Sequence, residues 1–282
     1  MHTATQQGQT SSTTSESRAI PQAVVRLARQ HQRVLAGAVS MLVVLGLWWT
    51  LTSGCGLIDP NRFPDPAETW AALQQILTPG YAGGTLVQQA WASTRLVLLG
   101  FAVAVTTGVP LGALMGLSRR AESLLNPAFL LLRPIPPLAW IPLAVVWLGL
   151  GDGAKILVIW IAAFVPCVIN TWTGVRGADL TLVAAARVHG ADPVRVLLEV
   201  ILPGALPMIF TGLRLSLQAC WTTLVAAELV GTLYGLGRVL DSAYRDVNPA
   251  MILVAMVTVG LLGAATTRLI AALERGLTPW QV

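Results

Sequence analysis

The feature that most constrains this chain is a series of apolar stretches, each long enough to cross a lipid bilayer, separated by short polar turns. Residues 34–53 carry no charge, and further apolar stretches lie at about 91–117, 127–150, 156–175, 204–230 and 249–271. About 20 apolar residues in a helix cross a hydrocarbon layer of ~30 Å. In lipid every backbone N–H and C=O needs a partner within the protein, and an uninterrupted apolar run finds those partners as a helix. Charged residues make up 11% of the chain, against about 25% in a soluble domain, too few to coat a soluble fold. The expected fold class is therefore all-α integral membrane, with six transmembrane helices.

The basic residues orient these spans. With the N-terminus inside, thirteen of the 18 Lys and Arg residues fall on the inner side, as the positive-inside rule requires, and both termini are then cytoplasmic. The net charge of +5 is thus a topology signal, and no nucleic-acid partner follows from it. Residues 1–33 form a cytoplasmic tail. Its first 17 residues, rich in Thr, Ser and Gln, are expected to be disordered. Arg18, Arg26, Arg29 and Arg33 follow in a basic flank that reads as a helix lying on the inner membrane surface. After the first span (34–53) comes a periplasmic loop, 54–90, with a short helix predicted from Pro66 to Leu77. Residues 91–275 form a five-helix core, and 276–282 a cytoplasmic tail. Within the core, Ser118–Asn126 reads as an inside turn, Gly149–Lys155 as an outside turn, and 231–248 as an outside loop or surface helix.

One segment inside the core is polar and helical: Ala184–Pro203, A-A-A-R-V-H-G-A-D-P-V-R-V-L-L-E-V-I-L-P. It lies in the inside loop 176–203. Asp192 is placed to cap a helix that begins at Pro193, which has no N–H to leave unpaired. Gly190 can end the preceding helix in the left-handed conformation. The expected shape is helix, glycine, helix, suited to a groove on a partner.

Two spans carry unusual residues. Pro134, Pro136, Pro137 and Pro142 cannot share one straight helix, so the third span is expected to be broken and to face the bundle interior. Arg133, Pro136, Pro137 and Trp140 are candidates for the translocation pathway there, with Arg133, near an inner end, also reading as a side chain that snorkels to the interface. Arg214 lies about ten residues, or ~15 Å, into the fifth span. It is either a pathway cation or a structural donor to carbonyls freed by the prolines. Glu228, near the outer end of that span, is a further pathway candidate; it reads either as a partner of Arg95 or as a carboxylate in interfacial water. Gly108, Gly112 and Gly116 share a face that lets another helix approach closely. The tryptophans read as interfacial anchors, and Cys55, Cys167 and Cys220 as small apolar fillers.

Catalytic patterns are absent. His2, His31 and His189 are scattered, giving no metal cluster. The segment G-L-G-D-G-A-K ending at Lys155 lacks the residues of a phosphate-binding loop, with Ala154 and Ile156 at its decisive positions. No catalytic residue and no cofactor are assigned, so any ATP-Mg would be bound by a separate subunit. An ATPase-independent secondary carrier is the alternative from another class. It would show paired broken helices or buried acid pairs, and one broken helix is found.

The polar segment resembles the E-A-A loop of ABC-importer permeases. Ala185 and Ala186 are followed by three residues, Gly190, nine residues, and then Val200, Ile201, Leu202 and Pro203, with Ala184 where the pattern has Glu. The stretches at 133–151, 200–207, 211–215, 223–229 and 277–280 are similar to permeases of the taurine, alkanesulfonate and nitrate group. The resemblance implies a type I importer (MetI-like) fold in the bacterial inner membrane. It implies two copies of this chain, two cytoplasmic ATP-binding subunits and a periplasmic solute-binding protein. Ala184, Ala185, Ala186, Gly190, Asp192, Pro193, Leu202 and Pro203 would then carry the contact with the ATPase. The solute implied is a small anion, taurine or another organic sulfonate first, with nitrate or an aromatic acid as alternatives.

Overall fold

The computed structural model describes residues 22–54, 63–229, 231 and 233–281. The tail expected to be disordered, residues 1–17, and residues 55–62 of the loop after the first span lie outside them. The chain divides into two units, 1–57 and 58–282. Among its described residues the first contains one helix, α1 (Gln22–Trp49), which continues as a π-helical turn over Thr50–Gly54. The basic flank and the first span, expected as two pieces, form one continuous helix from Gln22. Thr50 and Thr52 donate their hydroxyls back to the carbonyls of Leu47 and Trp48 at 2.9 and 2.8 Å, which satisfies polar groups within the helix itself.

The second unit opens with α2 (Pro66–Leu77), the helix its sequence predicts. Asp65 and Glu68 form a reciprocal cap: the Glu68 N–H donates to Asp65 Oδ1 at 2.7 Å and the Asp65 N–H to Glu68 Oε2 at 3.4 Å. Then come α3 (Leu86–Leu117), α4 (Arg119–Leu132), a 3₁₀ turn over Pro137–Trp140, α5 (Ile141–Leu148) and α6 (Asp152–Arg176). Next are α7 (Leu180–Val188), α8 (Pro193–Arg195), a π-helical stretch over Val196–Ile201, and α9 (Leu202–Glu228). The unit ends with α10 (Leu236–Arg245), α11 (Pro249–Leu277) and a 3₁₀ turn over Pro279–Gln281.

The core is three helices, α3, α6 and α9, packed at close range by small residues. A Cβ added at Gly100 would meet Ile159 at 2.5 Å, and one at Gly108 would meet Cys167 at 3.0 Å. At Gly112 it would meet the Val168 carbonyl oxygen at 2.6 Å, and at Gly116 the Val175 side chain at 2.7 Å. The expected glycine face is therefore real, and α6 is its partner. The paired positions rise together along both helices, so α3 and α6 run parallel. α9 runs antiparallel to α6, with Gly212 against Asn170 and Gly174 against Ala205 and Met208. Ser216 donates to the Ala163 carbonyl at 2.7 Å across that contact. Leu96, Val97, Ile159, Phe210, Leu217 and Leu224 fill the space between the three helices.

Two parallel helices cannot follow each other unless the chain between them returns. Glu122 in α4 forms an ion pair with Arg176 in the last turn of α6. Phe129 lies edge-on to Phe164, and Ala144 in α5 packs with Ala154 and Val158 near the start of α6. From Arg176 back to Ala154 is about 33 Å of helix. The α4–α5 segment therefore makes a sixth crossing, bent by 84°. The other five candidate spans are Leu35–Gly54, α3, α6, Pro193–Glu228 and α11.

Several boundaries and one tryptophan differ from expectation. α3 starts at Leu86, not at 91. The turn expected at Ser118–Asn126 is helical from Arg119, because the Ser118 hydroxyl caps the N–H of Ala121 at 3.3 Å. The turn expected at Gly149–Lys155 ends at Gly151, and Lys155 is a buried residue in the first turn of α6, 3.5 Å from Asp152. Trp221 is no interfacial anchor: it is 4% exposed, and its indole N–H donates to Thr266 at 3.0 Å.

Candidate functional site

The polar segment takes the predicted shape at its break. The N–H of Gly190 donates to the Arg187 carbonyl at 3.0 Å and that of Ala191 to the Ala186 carbonyl at 3.0 Å. These two bonds, with Gly190 at φ +83°, make a Schellman C-cap. Asp192 then caps the next helix, accepting from the Arg195 N–H at 2.7 Å, with Pro193 in its first turn. Asp179 caps α7, and the Thr181 N–H beside it holds its carboxyl below the usual carboxylate range.

The second helix of the pair is not a separate short element. From Pro193 the helix runs on through Leu202 and Pro203 to Glu228. Pro203 has no N–H, and its ring would clash with the carbonyl of Glu199 in a regular α-helix. The π-helical stretch Val196–Ile201 widens the turn there and accommodates the ring. The polar segment is thus in rigid continuity with the span that forms one third of the core. Ala184 and Ala185 are exposed and Ala186 partly buried. Leu180, Leu182, Val188, Val194 and Leu198 are all more than half exposed around them, so the segment presents an apolar face rimmed by Arg187 and Arg195.

Among the pathway candidates, Arg133 ends α4 and is exposed with Pro136. Pro137 and Trp140 bound the 3₁₀ turn at the bend, which packs on α6 and α9. Among the described residues Arg214 bonds no freed carbonyl; it forms an ion pair with Glu274 of α11 at 2.8 Å and donates to Thr211 at 3.2 Å. Glu274 went unnoticed in the sequence because it lies beyond the apolar stretch ending near 271, while α11 continues to Leu277.

Glu228 is neither paired with Arg95 nor in water. It is 1% exposed, whereas Arg95 is exposed. Ser93 donates to both of its carboxylate oxygens, at 2.8 and 2.9 Å, and the Gly237 N–H donates to Oε2 at 2.8 Å. The N–H of Leu236 donates to Ser93 Oγ at 2.8 Å and that of Gly235 to Gln89 Oε1 at 2.6 Å. Three N–H groups at the start of α10, those of its N-cap Gly235 and its first two residues, are thereby satisfied by side chains of α3 and α9, the work of a capping side chain done from a distance. Gly235 has φ +141°, and a Cβ there would lie 2.4 Å from Glu228 Oε1. This knot is not among the expectations from sequence; the paired glycines at 235 and 237 are the signal there that points to it.

Comparison with known proteins places this geometry. Residues 108–279 match the family described as binding-protein-dependent transport system inner membrane component. The taurine transport system permease protein TauC of Escherichia coli (strain K12) is 39% identical over 242 residues, covering 86% of this chain and 88% of that one. The nitrate import permease protein NrtB of Synechocystis sp. (strain ATCC 27184 / PCC 6803 / Kazusa) is 35% identical over 255 residues, 88% of this chain and 90% of that one. An inward-facing structure of the MetNI methionine ABC transporter superposes with a TM-score of 0.58 at 22% identity, covering 68% of this chain and 96% of that one, a likeness of fold.

Proposed function

We propose, for a chain that belongs to the family of binding-protein-dependent transport system inner membrane components, that the imported solute is a small organic sulfonate of the taurine type. The chain is a multi-pass inner-membrane permease subunit of an ABC importer, a translocation component and not an enzyme, working with ATP-binding subunits and a binding protein. This leaves the ATPase-independent carrier without support. The observation that carries the sulfonate reading is the 39% identity to the taurine permease along 86% of the chain. Nitrate is the second reading, favoured by the 35% identity to a nitrate permease.

Two copies of the chain, with both termini cytoplasmic, would enclose the pathway in the bilayer. The helix pair 184–203 would seat in the ATPase, with Ala184, Ala185, Ala186, Gly190, Asp192 and Pro193 at the contact and Leu202 and Pro203 leading into the span. What supports this is the exposed apolar face of the pair and its continuity with α9. A rigid helix running from the ATPase contact into the core would carry a rigid-body movement to the gate. The test is ATP-driven uptake by the complete complex in liposomes. Taurine uptake that excess unlabelled taurine abolishes and nitrate leaves intact is the expected outcome. Uptake of nitrate without taurine would replace the solute, and uptake independent of ATP would refute the coupling.

A further inference from the structure

Between α9 and α11 runs an open groove of about 590 Å³, in the size range of small-molecule sites. α9 contributes Gln218 and Thr222, one turn apart; α11 contributes Thr267 and Arg268. Trp221 forms part of the wall, with its N–H already spent on Thr266. Thr222 likewise returns its hydroxyl to the Ala219 carbonyl at 3.0 Å. Arg268, the Gln218 amide and the Thr267 hydroxyl have no partner among the described residues.

An arginine inside a span is costly unless it faces a water-filled cavity or a partner charge. Arg268 is nine residues, about 14 Å, from the end of α11 at Leu277. The one acid on its helix, Glu274, is committed to Arg214. That pair continues the groove's own faces, since Glu274 lies two turns beyond Thr267 and Arg214 one turn before Gln218. The groove thus has a neutralised ion pair at one end and an uncompensated guanidinium along its length, and no carboxylate lines it.

We propose that this groove is the anion-selecting stretch of the translocation pathway and that Arg268 is its selecting cation; this rests on the importer reading above. A guanidinium offers paired N–H donors to two oxygens of a sulfonate or nitrate. The Gln218 amide and Thr267 hydroxyl supply further donors. The absence of an acid among the lining residues keeps cations from competing, as in other anion pathways lined by Arg or Lys.

The test uses the complete complex in liposomes. Wild type is assayed first with taurine and with nitrate, and the variants are scored on whichever anion it carries, so an error about the solute appears in the wild type alone. Arg268→Gln is expected to raise the uptake KM about tenfold or more, the weight of one charge-assisted hydrogen bond, while Arg268→Lys, which keeps the charge but loses the paired donors, recovers part of the affinity. Unchanged uptake in Arg268→Gln, or equal loss in both variants, overturns the proposal. Independently, Thr267→Cys in a Cys55→Ser background is treated with membrane-impermeant methanethiosulfonate ethylsulfonate, itself an organic sulfonate. Modification slowed by the transported anion, and slowed again by Arg268→Gln, is expected. No modification means that lipid or a second copy of the chain covers the groove, and the proposal fails.

Discussion

Ser93 and Glu228, 135 residues apart, meet across α3 and α9, the serine hydroxyl lying 2.8 and 2.9 Å from the two carboxylate oxygens. The serine in turn accepts from the Leu236 N–H and the carboxylate from the Gly237 N–H, so the pair holds the start of α10 against the core. Removing the carboxylate leaves buried donors unpaired, at about 1–3 kcal/mol each. Glu228→Ala is expected to lower the thermal unfolding midpoint clearly, and Glu228→Gln less so. Gly237→Ala should also destabilise, since its Cβ would lie 2.5 Å from Glu228 Cβ and 2.7 Å from the Val225 carbonyl oxygen. Gly260→Ala, with nothing within 4 Å, should not. Tryptophan fluorescence during heating of the detergent-purified protein reads all four.

The Arg214–Glu274 pair makes a different prediction. The glutamate side chain is 13% exposed and the arginine 35%. Arg214→Ala strands the carboxylate and is expected to cost about 3 kcal/mol at most, the lower end of the range for buried pairs because the arginine is partly solvated. Arg214→Leu combined with Glu274→Leu should recover most of that loss, because neither charge is then left unpaired. A thermal double-mutant cycle checks this; additive losses would show that the two residues do not interact.

Gly190 carries the hinge between α7 and the helix that becomes α9. Proline fixes φ near −65°, incompatible with +83°, and also removes the N–H that bonds Arg187. Gly190→Pro is expected to abolish ATP-driven uptake while membrane insertion and yield stay as in wild type. Gly190→Ala should reduce uptake partially, since its Cβ meets nothing within 4 Å and only the left-handed backbone opposes it, by about 1–2 kcal/mol. Uptake at the wild-type rate in the proline variant would remove the hinge from the mechanism.

Tyr81 donates a hydrogen bond to Asp246, tying the segment before α3 to the turn after α10. Burial first, then the hydrogen bond to Asp246 and its negative charge, raises the phenol above its ordinary range. A raised folded-state value means that the bond contributes fully below the unfolded value of about 10 and is lost as pH rises through the folded one. Tyr81 should therefore ionise late in an ultraviolet titration, and Tyr81→Phe should delete that late step. Tyr81→Phe should also remove the corresponding part of the alkaline loss of stability.

Much of the fold was legible because hydropathy and helix-end chemistry act locally. The capping box at Asp65 and Glu68, the glycine break at 190, the Asp192 cap and the glycine face at 108–116 each follow from residues within a few positions of one another. The proline-rich stretch was legible as a break, though not as an 84° bend. Its angle is fixed by where Phe129 and Ala144 pack on α6. Charges inside the spans were visible but their partners were not. Arg214 finds Glu274 and Glu228 finds Ser93 only because three helices bring distant turns level.

The amino-acid sequence alone determined that the chain crosses a membrane as helices, where each helix is capped or broken, and that one polar segment stands apart from the bilayer. These depend on interactions within a turn or two of helix and on the cost of leaving backbone groups unpaired in lipid. The tertiary structure alone decided that α3 and α6 run parallel, so that the bent segment must cross. It also decided that the polar segment continues unbroken into α9, and that Arg268 opens onto a groove without a counter-ion. Those outcomes depend on helix register and packing between residues far apart in the chain, which no local pattern encodes.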